Sequence, residues 1–142
     1  MKKILLILLL LIILIACQSQ QLQPVDIEAG DMCSFCKMAI SEKRYAAEFI
    51  DQDGTVFKFD DIGCMIRFIQ ERGLKDKIAV YFVTDYDNLK WLNAEPSSYV
   101  KSEAIPSPMA SGLVAFKDRL KAEEFSRKYR GQILTFEDLW RR

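Results

Sequence analysis

Tyr45-Ala46-Ala47-Glu48-Phe49-Ile50-Asp51-Gln52-Asp53-Gly54-Thr55-Val56-Phe57-Lys58-Phe59-Asp60-Asp61-Ile62 sets two apolar runs around an Asp-Gly pair and follows them with an acidic doublet. Asp-Gly between alternating apolar residues is a strong hairpin signal, because both residues tolerate the positive φ of a tight two-residue turn. Residues 45–50 and 55–59 therefore read as paired strands. Asp60 or Asp61 then caps a helix whose Ile62, Met65, Ile66, Phe68 and Ile69 recur at intervals of three and four, and Gly73 stops it. The first unit is strand, strand, helix.

Toward the C-terminus, Ile78–Thr84 is a further strand, residues 85–88 a polar turn, and residues 90–93 a second strand. Tyr99-Val100 extends after a break at Glu95-Pro96, and two prolines hold residues 105–112 in a loop. Leu113–Phe116 is a short strand, Asp118 or a neighbour caps a helix over 120–129, and Gly131 ends it. Residues 133–136 form a last strand before the short helix Glu137–Trp140. Thr55 to Asp60 before one helix thus matches Leu113 to Asp118 before the next, the pattern of a duplicated β-β-α unit. The fold class is α+β.

Toward the N-terminus, Met1-Lys2-Lys3 precedes an unbroken apolar run from Ile4 to Ile15. A dozen apolar residues suit a signal peptide, whereas a spanning helix needs about 20. The run ends in Leu14-Ile15-Ala16-Cys17, which resembles the lipobox of bacterial lipoproteins. That resemblance implies cleavage before Cys17 and acylation of its thiol, with more than one chain giving stable attachment. Gln18 stands where an Asp retains many lipoproteins at the inner membrane, so outer-membrane attachment facing the periplasm is expected if the source has an outer membrane. Residues 1–16 are then the signal, 17–25 a lipidated flexible tether rich in Gln, and 26–142 one folded domain. Removing Lys2 and Lys3 turns 20 basic and 20 acidic residues into 18 and 20, a net charge of −2. That balance gives no sign of a nucleic-acid partner.

The densest chemistry lies in Asp31-Met32-Cys33-Ser34-Phe35-Cys36-Lys37-Met38, two thiols and two thioethers within seven residues. Soft sulfur donors suit Cu(I). Zinc is disfavoured, since a structural zinc site takes four N or S ligands and the chain has neither a second Cys-x-x-Cys nor any His. Lys37 occupies the position of the His in a c-type haem motif, which excludes haem attachment. A redox pair remains as the alternative function, a lipid-anchored Cys-x-x-Cys thiol-disulfide oxidoreductase, and a plain structural disulfide is the bland one. With Cys17 assigned to lipid, Cys33, Cys36 and Cys64 make an odd set, which weakens the disulfide account. Lys37 beside Cys36 favours the Cys36 thiolate. Met65 belongs to the apolar helical face, while Cys64 borders it and serves equally as core residue or ligand. Met109, flanked by Pro108 and small residues, is either a solvent-facing side chain or a donor brought over the sulfur loop.

Cys33 with Cys36-x-Met38, Phe59-Asp60-Asp61 leading into Ile62-Gly63-Cys64-Met65, Val83-Thr84-Asp85-Tyr86, Trp91 and Ala94, Pro108-Met109, Ala115-Phe116 and the closing 131–139 segment together resemble the NosL family, lipoprotein accessory factors of nitrous oxide reductase. The resemblance implies a periplasmic copper chaperone that passes Cu(I) to the apo copper enzyme alongside a membrane transporter and periplasmic assembly complex. It also implies two related β-β-α-type halves similar to a domain of the organomercurial lyase MerB. Carried over by position, Cys36 and Met38 are the first Cu(I) ligands, Met109 the next, and Cys33 a further one. The absence of His departs from members that offer one near the Cys-x-Met motif. Asp60-Asp61 is taken as a helix cap, and without His no Ser/His or Cys/His catalysis is available.

Overall fold

The computed structural model describes residues 21–141; the expected signal peptide, the expected lipidation site Cys17 and the start of the expected tether lie outside the described residues. Alternation in the 45–59 stretch does pair it: β1 (Ala47–Asp51) and β2 (Val56–Phe59) are antiparallel, with Phe49 opposite Phe57 and Ala47 opposite Phe59. Tyr45 falls outside β1 in a 3₁₀ turn, Lys43–Tyr45, and joins the core of the second half instead. Helix α1 (Ile62–Arg72) begins where Asp61 accepts the Gly63 N–H, and ends at Gly73 in the left-handed conformation that glycine adopts without strain. β3 (Ile78–Thr84) pairs with the other edge of β1, and β4 (Trp91–Asn93) pairs with β3, giving an antiparallel sheet of order β2-β1-β3-β4.

The second half repeats this order. β5 (Ser98–Lys101) lies between β6 (Leu113–Phe116) and β7 (Gln132–Leu134), and α2 (Arg119–Tyr129) connects β6 to β7. In each half the first strand is central and the helix links its two neighbours. Tyr99-Val100, only a short extended piece by sequence, is therefore the middle of a sheet. Gly131 is not the left-handed residue that ends α2; Arg130 takes that conformation, with φ 48°. A Cβ on Gly131 would stand 2.6 Å from Val100 Cγ1, so glycine is required there by the approach of β5.

Alternation also assigns the faces. Phe49, Phe57 and Phe59 on one side of the first sheet pack with Phe68 of α1, the closest pair stacking at 4.7 Å. Tyr99, Leu113, Ala115 and Leu134 add one face of the second sheet to that core. The opposite face, Val100, Val114 and Phe116, packs on Ala122, Phe125 and Tyr129 of α2. The Tyr86 N–H bonds the Ala115 carbonyl at 2.9 Å, beside a parallel bridge of Asp85 to Ala115, and so joins the two sheets. The outer face of the first sheet carries the incoming N-terminal segment. Val25 N–H donates to the buried Glu48 at 3.0 Å, Trp91 Nε1 donates to Asp26, and Lys58 reaches both the Asp26 carbonyl and the Asp31 carboxylate.

Candidate metal centre

That segment delivers the chain to the sulfur loop in a fixed position. Met32 and Ala39 form an antiparallel bridge, and inside it Cys33 N–H donates to Met38 O at 2.8 Å and Lys37 N–H to Cys33 O at 3.1 Å. Closing so short a turn puts Lys37 at φ 64°, an uncommon conformation for a residue with a side chain. Its ammonium folds back onto Ser34 O at 2.8 Å. Ser34 N–H donates to Lys58 O at 2.8 Å, which holds the loop against the end of β2. Two further groups come from the β2–α1 junction: Asp60, just before the cap, and Cys64, in the first turn of α1.

Here four donors converge. The Sγ atoms of Cys33, Cys36 and Cys64 and a carboxylate oxygen of Asp60 all lie within 4.8 Å of one another. Cys33, Cys64 and Asp60 are buried, and Cys36 is half-buried at the opening. All three cysteines are free thiols, and Cys36 Sγ lies 3.5 Å from both oxygens of Asp60.

Their acidities are unequal for local reasons. The Cys33 thiol is lowered to about 6, chiefly because Cys64 donates a hydrogen bond to its sulfur, with burial opposing. Cys64 is pushed up, first by the same hydrogen bond and then by burial. Burial also pushes Cys36 up, helped by its nearness to Cys33. The expectation that Lys37 favours the Cys36 thiolate meets a different geometry: the Lys37 ammonium is engaged with Ser34 O, and burial pushes the Cys36 thiol up. A soft cation can replace the thiol protons.

Of the residues expected to carry the site, Cys33 and Cys36 are brought together. Met38 and Met109 are 47% and 38% exposed. Each is tied through its backbone to the cluster's surroundings, Met38 O to Cys33 N–H and Met109 N–H to Asp61 Oδ2 at 3.1 Å. Met65 is fully buried in the core, as its helical position implies. Asp60 corrects the sequence assignment, since Asp61 alone caps α1 while Asp60 faces Cys36. A helix start uses one capping carboxylate, and it is the burial of the second, seen only in the structure, that asks for another explanation.

A family model described as NosL matches residues 24–142. Among solved structures, the crystal structure of the copper chaperone NosL from Shewanella denitrificans has the same fold, with a TM-score of 0.72 over 81% of this chain and 93% of that one, at 18% identity. No curated protein sequence matches.

Proposed function

Starting from the fact that the chain belongs to the NosL family, we propose that it is a lipid-anchored carrier that takes up Cu(I) and hands it to an exported copper enzyme, nitrous oxide reductase being the expected acceptor. The observation that carries this proposal is the meeting of the free Cys33 and Cys36 thiols at a half-open mouth. Copper is cargo here, held by Cys36 and Cys33 with the thioethers of Met38 and Met109 as weaker, displaceable donors. Thiolate donors select Cu(I) over the harder divalent ions, and the absence of imidazole sharpens that preference. Cys36, the half-buried member at the opening, is where an acceptor's ligand can bind the ion before the carrier lets go. A membrane transporter and a periplasmic assembly protein are the partners this role requires, and acylated Cys17 would keep the carrier at the membrane facing the periplasm.

The oxidoreductase alternative fares worse on acidity. A Cys-x-x-Cys enzyme attacks with an exposed cysteine of lowered pKa. In this loop the lowered one is buried and the half-buried one is raised. The test is a titration of the reduced protein with Cu(I) against a chromophoric chelator. One equivalent should be bound, Cys36→Ser should abolish binding, and mixing with an apo acceptor should move the ion stoichiometrically. Undiminished affinity in Cys36→Ser would sink the proposal.

A further inference from the structure

Cys64 has no part in the carrier as just described, yet it is one of the three sulfurs that meet. We propose that Cys64 is a copper ligand, and that Cys33, Cys36 and Cys64 form an inner three-sulfur seat from which Cys36 carries the ion outward to Met38 and Met109. The inference rests on the copper-carrier reading and extends it to a residue outside the Cys-x-Met pair.

Geometry supports the seat. An ion bound at about 2.3 Å to three sulfurs in one plane holds them about 4 Å apart. The three Sγ atoms already lie within 4.8 Å of one another, so closing on a cation takes only small side-chain movements. Two of the three are fully buried, in a place where the bland role of a small core hydrophobe would be served as well by alanine or valine. They also come from separate elements, the 33–36 loop and the first turn of α1, so their meeting is not imposed by local sequence. Asp60 completes the ring as a hard donor that accepts from Cys36 while the seat is empty.

Exposure then orders the steps. Uptake displaces the remaining thiol protons to water and forms three Cu–S bonds. Release breaks the bonds to Cys33 and Cys64 one at a time, as Met38, Met109 or an acceptor sulfur forms a new one. Copper stays monovalent throughout; the bond to Cys36 is the last to break, as the acceptor's ligand replaces it, and the three freed sulfurs take protons back from water. Inner residues therefore set affinity, and outer ones set the rate of transfer.

X-ray absorption on the Cu(I)-loaded wild-type protein tests this directly. Three short sulfur distances near 2.3 Å are expected, and a spectrum with one or two overturns the seat whether or not any variant folds. Cys64→Ala and Cys64→Ser should lose one short sulfur and weaken Cu(I) binding at least tenfold, while Met38→Leu with Met109→Leu should keep all three short sulfur distances and slow transfer at least tenfold. Wild-type affinity and spectrum in a folded Cys64→Ala protein would refute the inference yet leave the carrier intact. Failure of the wild-type protein to bind Cu(I) would instead remove the carrier reading itself.

Discussion

The two halves share a topology but not a chemistry, and the difference is concentrated at one junction. Phe59-Asp60-Asp61 before α1 stands where Phe116-Lys117-Asp118 stands before α2, and both helices run eleven residues from a capping aspartate. Asp61 and Asp118 do the same local work, accepting from Gly63 N–H at 2.7 Å and Leu120 N–H at 2.8 Å. Around them everything else diverges. Asp60 is buried where Lys117 is exposed, Cys64 is buried where Lys121 is exposed, and Gly63 is pressed by Ser111 where Leu120 stands 73% exposed. A strand-to-helix junction is thus only a scaffold position. It becomes a site in the first half because the 31–40 loop and the 107–112 loop cover it, which lets sulfur and carboxylate meet away from water.

The strongest way to break the comparison is to write the second junction into the first. Asp60→Lys replaces the buried carboxyl that faces Cys36 with an ammonium that has no carboxylate to pair with. Uncompensated buried charges are strongly destabilising, about 3–5 kcal/mol. Denaturant unfolding should show that loss, and Cu(I) titration of the surviving folded fraction should show no tight binding. A variant as stable as the parent would mean that the junction is open to water and that its burial does not matter.

The caps give a smaller contrast. Asp118→Ala removes one exposed cap and should lose about 1 kcal/mol. Asp61→Ala removes a fully buried carboxylate that also accepts the Met109 N–H, leaving two donors unsatisfied, and should lose about 2–3 kcal/mol. Only Asp61→Ala should also raise amide exchange at residues 109–112. Equal losses in the two variants would show that the 107–112 loop takes no support from the first helix.

Glu48 and Tyr99 extend the contrast to the central strands, one residue along from Ala47 and Ser98 opposite the paired phenylalanines. Tyr99 buries a hydroxyl and satisfies it on Ala94 O at 2.6 Å. Glu48 buries a carboxyl, receives Val25 N–H on Oε1, and leaves Oε2 without a hydrogen bond. Burial pushes Glu48 up to about 7. The folded protein then keeps a proton that the unfolded chain, at about 4.5, has given up. The contribution is complete below about pH 4.5 and is lost as pH rises through 7. Glu48→Gln should flatten that slope and stabilise the protein above pH 7, by about 1–3 kcal/mol. Thermal unfolding at a series of pH values checks this, and an unchanged slope would mean that Glu48 is ionised in the fold.

How much of this could be read from residues alone follows the same division. Period-two and period-four patterns are local, so the 45–59 hairpin, α1, β3 and β6 were legible with ends off by one or two residues. Tyr99-Val100 was not recognised as a central strand, because four residues after a proline carry little periodicity and their partners lie far along the chain. The sulfur loop announced itself by composition. Cys64 and Asp60 did not, since a cysteine on a helix and an acid before one both have ordinary explanations, and only the packing of loop against junction removes them. The duplication was visible in the match of Thr55 to Asp60 with Leu113 to Asp118, but one residue out of the register in which Asp61 and Asp118 both cap, and it did not say which copy would be functional.

The smallest expected effect is the reverse graft, Lys117→Asp, which makes the second junction read Asp-Asp like the first. Lys117 and Asp118 are exposed at the start of α2. A second carboxylate there gains from the helix N-terminus, about 0.3–1 kcal/mol, and loses a similar amount to its neighbour's charge. The net change should stay within about 0.5 kcal/mol, as for most exposed substitutions. Acquired metal affinity is not expected either, because among the described residues no loop covers this junction with thiols and a solvated carboxylate pair holds soft cations weakly. Cu(I) stoichiometry above that of the parent would show that the acidic doublet alone recruits the ion and that the covering loops are dispensable. Unchanged stability and stoichiometry, beside the collapse expected for Asp60→Lys, would place the difference between the halves in what lies over each junction.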